Sequence, residues 1–196
     1  NGWHDWACIR DAGISPKVRE DVLTFRYNDL DSLEDVLKRN RDKVACVIMM
    51  PLEIEIPHPG FLSGVRDLAH RYGALFILDE MRSGFHLALG GAQEYYGVTP
   101  DLATFSKAIA NGYAISVLAG RRDIMETISQ TYFSSGFYTN SLSMATAVAT
   151  IKKLQQKRII DHLWRIGQGL IDGLNELAED VGVEAAAVGI SPMPFL

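Results

Sequence analysis

Apolar and polar positions along the chain alternate between helical and extended spacing, and that alternation predicts the elements. From Asp29 to Asn40, polar residues open a segment in which Leu30, Leu33, Val36 and Leu37 form one stripe, with Lys38, Arg39 and Arg41 suiting its C-terminal end. This spacing predicts an amphipathic helix. Val44 to Met50 is continuously apolar and partly β-branched, as expected of a strand buried on both faces. Pro51 ends it, and Pro57 and Pro59 keep the following loop irregular.

Helical spacing returns from Phe61 to Tyr72, with Phe61, Val65, Leu68 and Ala69 inward and Gly73 as the terminator. Ala74 to Leu78 reads as a second buried strand delivering Asp79 and Glu80 at its carboxyl end. Leu102 to Phe105 and Ile115 to Ala119 are short strand candidates, and Met144 to Lys157 and Ile159 to Val181 are long amphipathic helices. Strand and helix alternate, which predicts an α/β fold with a mostly parallel sheet flanked by helices. Ligands in such sheets collect at the carboxyl ends of strands, where Asp79 falls.

Composition narrows the field without choosing a function. The chain has 196 residues, 47% hydrophobic and 22% charged, enough for a buried core. A net charge of −5 gives no general attraction to nucleic acid. The basic group Lys152, Lys153, Lys157 and Arg158 lies on a predicted helix as a solvated face. Cys8 and Cys46 match no metal spacing, no metal is expected, and Cys46 is expected to be a core thiol. No apolar run has membrane-spanning length, so a cytoplasmic protein without a membrane partner is the default expectation. The chain opens without Met and closes on Met193-Pro194-Phe195-Leu196, an apolar end suited to a strand; both ends read as those of a fragment.

Two residues carry the candidate chemistry. Asp79 follows a core strand, where a site carboxylate and a solvated strand end are about equally consistent with the pattern. Lys107 follows Leu102-Ala103-Thr104-Phe105-Ser106 and precedes Ala108-Ile109-Ala110-Asn111-Gly112, a small, apolar setting in which partial desolvation makes an amine nucleophilic toward a carbonyl. A surface loop lysine is the competing reading. Neither G-x-G-x-x-G nor the P-loop pattern occurs, and Gly90-Gly91 shows no helix start of that kind, which argues against a nucleotide-binding module.

Taken in order, the segments Phe76-Ile77-Leu78-Asp79-Glu80-Met81-Arg82-Ser83-Gly84-Phe85, Gly90 to Leu102, and Thr104-Phe105-Ser106-Lys107-Ala108-Ile109-Ala110-Asn111-Gly112-Tyr113 resemble the class III aminotransferases. Within that family they look most like glutamate-1-semialdehyde aminomutases and related sugar aminotransferases. The similarity runs continuously from about Pro59 to Met125. It implies a partial fold type I large domain over residues 1–150, with 151–196 a long helix and linker toward a small C-terminal domain. It also implies pyridoxal 5′-phosphate as cofactor, a small amine or carbonyl substrate and a homodimer.

By the same resemblance Lys107 forms the Schiff base and moves the proton, while Asp79 faces the pyridine nitrogen. Met81 lies against the ring or, equally, in the core. Glu80 supports the strand end and Gln93 makes a loop contact. Amino-group transfer is the implied reaction; intramolecular amino migration, or a truncated non-catalytic relative, is the alternative. Departures from the family pattern are specific. Asn1 stands where the family has the His of an aromatic-His-Gly turn, and the Gly/Ser-rich phosphate turn has no counterpart. Met50 replaces an acidic residue, His86 replaces an arginine, and Gly136 falls where a neighbouring subunit's phosphate-binding threonine aligns. Ser135 or Thr139 is the candidate substitute for that threonine, although neither is in register with it.

Overall fold

A computed structural model of the chain describes residues 13, 15–52, 54–132, 134 and 136–196. The chain divides into two compact units, residues 1–47 with 57–75, and residues 48–56 with 76–196.

Among the described residues the first unit holds three helices: α1 (Pro16–Glu20), α2 (Leu30–Arg39) and α3 (Phe61–Arg71). The predicted first stripe is α2, and its start is fixed by Asp29, whose carboxylate accepts a hydrogen bond from the Ser32 N–H at 2.8 Å. Leu33 and Leu37 are its buried positions. In α3 the four inward residues expected are all buried, and Leu62 joins them. The two helices touch. Gly64 makes that approach possible, because a Cβ there would lie 2.5 Å from Leu30 Cδ1. Gly73 follows the helix end at φ +75°, a conformation that disfavours other residues.

The second unit holds most of a four-stranded sheet of β1 (Cys46–Met49), β2 (Leu75–Asp79), β3 (Leu102–Phe105) and β4 (Val117–Gly120), in that spatial order. The sheet is mixed and mostly parallel; β2 and β3 run parallel, and β4 returns antiparallel to β3. The expectation that β1 is buried on both faces is corrected. It is an edge strand in which Val47 and Met49 are buried and Ile48 is 40% exposed. Cys46 is likewise half-buried rather than a core thiol, although burial still pushes its thiol up from the ordinary value.

Asp101, 3% exposed, binds the start of β3 to its neighbours. Its carboxylate accepts from the Phe76 N–H at 2.7 Å and from Arg121 Nη1 at 2.9 Å, and its carbonyl accepts from the Arg121 N–H. Beyond the sheet, α4 (Ala92–Tyr95) and α5 (Arg122–Met125) are single turns, followed by α6 (Ser141–Lys157) and α7 (Ile159–Val181). α6 begins three residues before its apolar stripe predicts, because Asn140 caps it through the Ser143 N–H. Arg158, at φ +49°, separates α6 from α7.

The apolar end expected to be a strand is one: β6 (Met193–Phe195) pairs antiparallel with β5 (Val188–Ile190). The hairpin docks on α7. Asn175 binds both the N–H and the carbonyl of Ala187, and a Cβ on Gly167 would collide with the Ser191 carbonyl. Trp164 donates its indole N–H to the Leu87 carbonyl at 2.9 Å. Among the described residues no helix is long and apolar enough to cross a membrane.

Candidate active site

Parallel pairing of β2 with β3 sets Asp79 opposite Thr104 in register, at the carboxyl ends of both strands. Asp79 is 6% exposed, so the sequence pattern resolves to a buried carboxylate rather than a solvated strand end. Its Oδ1 accepts two hydrogen bonds of 2.9 Å, from the Met81 N–H and from Thr104 Oγ1. Those bonds fix the carboxylate plane. Among the described residues no donor reaches Oδ2.

Extended geometry stops at Asp79 and the chain turns. Met81 therefore does not continue the strand. Its side chain is 40% exposed, which also removes the core reading, and its backbone is what serves Asp79.

Glu80 has a different task. Its carboxylate accepts from the Ser83 hydroxyl, from the Ala92 N–H at 2.9 Å and from the Gln93 N–H at 2.7 Å. Gly91 is the N-cap of α4, a single turn and not a helix start of the nucleotide-binding kind. The protein's own carboxylate occupies its amides, leaving them no phosphate to hold. Glu80 thus supports the strand end, and Gln93 takes part through its backbone.

Lys107 opens one turn of 3₁₀ helix, Lys107–Ala110, directly after β3. It lines a cleft of about 710 Å³ with Arg82, His86, Asn111, Tyr113 and Met193. The predicted desolvated lysine is corrected: Lys107 is exposed at an open cleft. Ser106 steadies the preceding backbone by donating to the Ile115 carbonyl at 2.8 Å. Three non-glycine residues with positive φ surround this place, namely Phe85 (+65°), Lys107 (+49°) and Asn111 (+45°). Such backbone is uncommon outside glycine and clusters where the chain must aim a side chain. Phe85 is held there by its ring, 5.7 Å from that of Phe105, in a cluster with Ile109 and Ala110.

Arg82 stacks its guanidinium 4.7 Å from the Phe195 ring centroid. His86 is held below the ordinary histidine range by burial first, and further by the Arg82 and Lys107 charges, against the opposing effect of the Gly84 carbonyl near its Nδ1. Thr139 is exposed at φ +60° in the turn before α6 and does not line the Lys107 cleft. Ser135 and Asn1 lie outside the described residues. Met50 is half-buried after β1, and Gly136 is exposed. Among the described residues no group of three or more His, Cys, Asp or Glu is placed to hold a metal ion. Sequence reasoning missed Thr104 and the Asp101–Arg121 pair, since their roles depend on strand register and on a contact across twenty residues.

Comparison with known proteins gives this geometry a family. The model of the class III aminotransferases matches residues 16–187, and the chain belongs to that family, whose cofactor is pyridoxal 5′-phosphate. A 3-aminobutyryl-CoA aminotransferase from Cloacimonas acidaminovorans (strain Evry) is 43% identical over 203 residues, covering all of this chain and 49% of that protein. A glutamate-1-semialdehyde 2,1-aminomutase from Desulfatibacillum aliphaticivorans is 35% identical, covering 94% of this chain and 45% of its own length. Among solved structures, the pyridoxal-phosphate internal aldimine form of the FumI protein of Sphingopyxis sp. MTA144 superposes with a TM-score of 0.90 at 28% identity. It covers 98% of this chain and 48% of that one. An omega-transaminase from Sphaerobacter thermophilus gives 0.83 at 26% identity, over 97% and 49%. The chain therefore spans about half the length of the relatives it matches.

Proposed function

We propose that this chain carries the lysine and the acid of a pyridoxal-phosphate site for amino-group transfer between a small amine and a carbonyl compound. The observation that carries the reading is the Asp79–Thr104 register, which sets a fixed carboxylate on β2 beside the β3 end that leads into Lys107. The residues present fit the cofactor. With Oδ1 already committed to two donors, Asp79 offers Oδ2 to a ring N–H cation, and a buried carboxylate favours such a partner.

When bound, pyridoxal phosphate supplies an electron sink for charge that develops on the substrate carbon. Asp79 orients and keeps the ring nitrogen protonated. Lys107 would hold the cofactor through Nζ and would take up and return a proton at the same atom. Met81 sets an exposed thioether beside the ring. Ser135 and Thr139 serve the phosphate of a neighbouring subunit in a homodimer. Residues 1–150 belong to the cofactor-binding domain, and 151–196 lead toward the small domain. Amino transfer is preferred to amino migration because the 43%-identical relative is named an aminotransferase; the aminomutase relative at 35% keeps migration as the second reading.

Adding pyridoxal phosphate to the folded chain is expected to produce a yellow absorbance that borohydride abolishes, leaving the label on Lys107 by peptide mapping. Lys107→Ala is expected to lose both signals. Retention of the absorbance by that variant refutes the assignment. A folded wild-type sample that shows no spectral change instead supports the non-catalytic relative.

A further inference from the structure

We propose that His86 is a positioning residue for Lys107, a neutral imidazole whose Nε2 accepts a hydrogen bond from the Lys107 amine in the cleft that both line. The proposal rests on the reading of Lys107 given above.

Geometry assigns the tautomer. His86 Nδ1 lies 3.1 Å from the Gly84 carbonyl oxygen, and a carbonyl only accepts. Nδ1 therefore carries the hydrogen, and Nε2 is left with the lone pair. The backbone leading to the ring is closely packed. Gly84 is wedged, since a Cβ there would lie 2.7 Å from both the Glu80 carbonyl and Phe105 Cδ1. Phe85 is held at positive φ by its own packing. His86 thus lines the cleft directly after this packed stretch of backbone.

The charged surroundings agree. Arg82 comes from the turn after β2, Lys107 from the 3₁₀ turn and Tyr113 from the loop beyond it, and among the described residues no carboxylate lines the cleft. A proton on His86 would add one more cation to this group, so the neutral acceptor persists to lower pH than for an ordinary histidine. Once it is protonated the acceptor is lost, and with it the hold on the Lys107 amine.

Two measurements test this. Nitrogen-resolved NMR on the histidine-labelled chain at neutral pH is expected to show, in the signal that His86→Gln removes, hydrogen on Nδ1 and none on Nε2. The reverse tautomer, or the doubly protonated ring, overturns the proposal. Borohydride-trapped attachment of pyridoxal phosphate to Lys107 is then followed against pH. His86→Gln keeps an acceptor, so it is expected to stay within about twofold of wild type near neutrality and to lose an acid break below the ordinary histidine range. His86→Phe is expected to be slower by about tenfold, the size of one hydrogen bond to a charged group. Equal rates and equal pH profiles for the Phe variant and wild type overturn the proposal, as does a failure of the Gln variant to recover the rate. If wild type attaches no pyridoxal phosphate, the functional reading falls separately. The same proteins are then compared by formaldehyde reductive methylation mapped at Lys107, where equal labelling of wild type and His86→Phe overturns the positioning role.

Discussion

Replacing Glu80 by Gln removes one charge and almost no volume, and the structure predicts a cost well beyond that of a surface change. The side chain is 1% exposed. The Ala92 N–H is bonded to Oε2 and the Gln93 N–H to Oε1, so the two amides claim different oxygens. A glutamine has one carbonyl oxygen. Whichever way its amide is turned, one backbone N–H faces an NH₂ group, while the Ser83 hydroxyl can rotate to accept. One charge-assisted hydrogen bond is lost and a buried donor is stranded, a loss of about 2–3 kcal/mol. Glu80→Ala strands both amides and opens a cavity, for about 4–5 kcal/mol. In urea, with a slope of about 2 kcal/mol/M, the Gln change lowers the unfolding midpoint by about 1–1.5 M, and Ala by more. Circular dichroism across a urea series measures this. A Gln midpoint within about 0.3 M of wild type, or an Ala variant no worse than Gln, refutes the reasoning.

Two further predictions address the acid and the first unit. Thr104→Val removes one of the two donors on Asp79 Oδ1 without changing side-chain bulk, and is expected to weaken pyridoxal-phosphate binding several-fold, by about 1 kcal/mol; unchanged affinity in an absorbance titration contradicts the fixing role. Asp29 is held below the ordinary carboxylate value by the Ser32 N–H first and by Arg26 second, so its cap supports α2 above the ordinary aspartate value and is lost as pH falls through the lower folded value. Carbon-detected NMR titration of that carboxyl checks this, and a midpoint at or above 3.8 contradicts it.

Elements with strong periodicity were legible from the chain. The helix at 159–181 has its predicted bounds, and the strand at 102–105 likewise. Errors arose where the environment, not the local pattern, decides. The run at 44–50 reads as fully buried because Val, Ile and Met are apolar on both faces, yet β1 lies at a sheet edge, and edge position is a property of strand order. Asn140 sits ahead of the apolar stripe of α6, and a cap signal carries no periodicity. Lys107 was found through the order of matched segments, whereas its exposure depends on what surrounds the cleft. Thr104 left no signal in sequence, since its partner lies 25 residues away and only parallel register joins them.

Adjacent carboxylates show most clearly what the fold adds. Asp79 and Glu80 are neighbours of similar chemistry at the end of one strand, and the pattern does not say which serves a ligand. The chain turns directly after Asp79, so the two carboxylates meet different surroundings. One meets Thr104 on the neighbouring strand and retains an oxygen without a donor among the described residues. The other meets the amides that open α4 and is consumed by them. Removing Glu80 therefore strands the amides that open α4, whereas removing Asp79 releases only the Met81 N–H and the Thr104 hydroxyl. What separates the two acids in the structure is the count of donors at each oxygen.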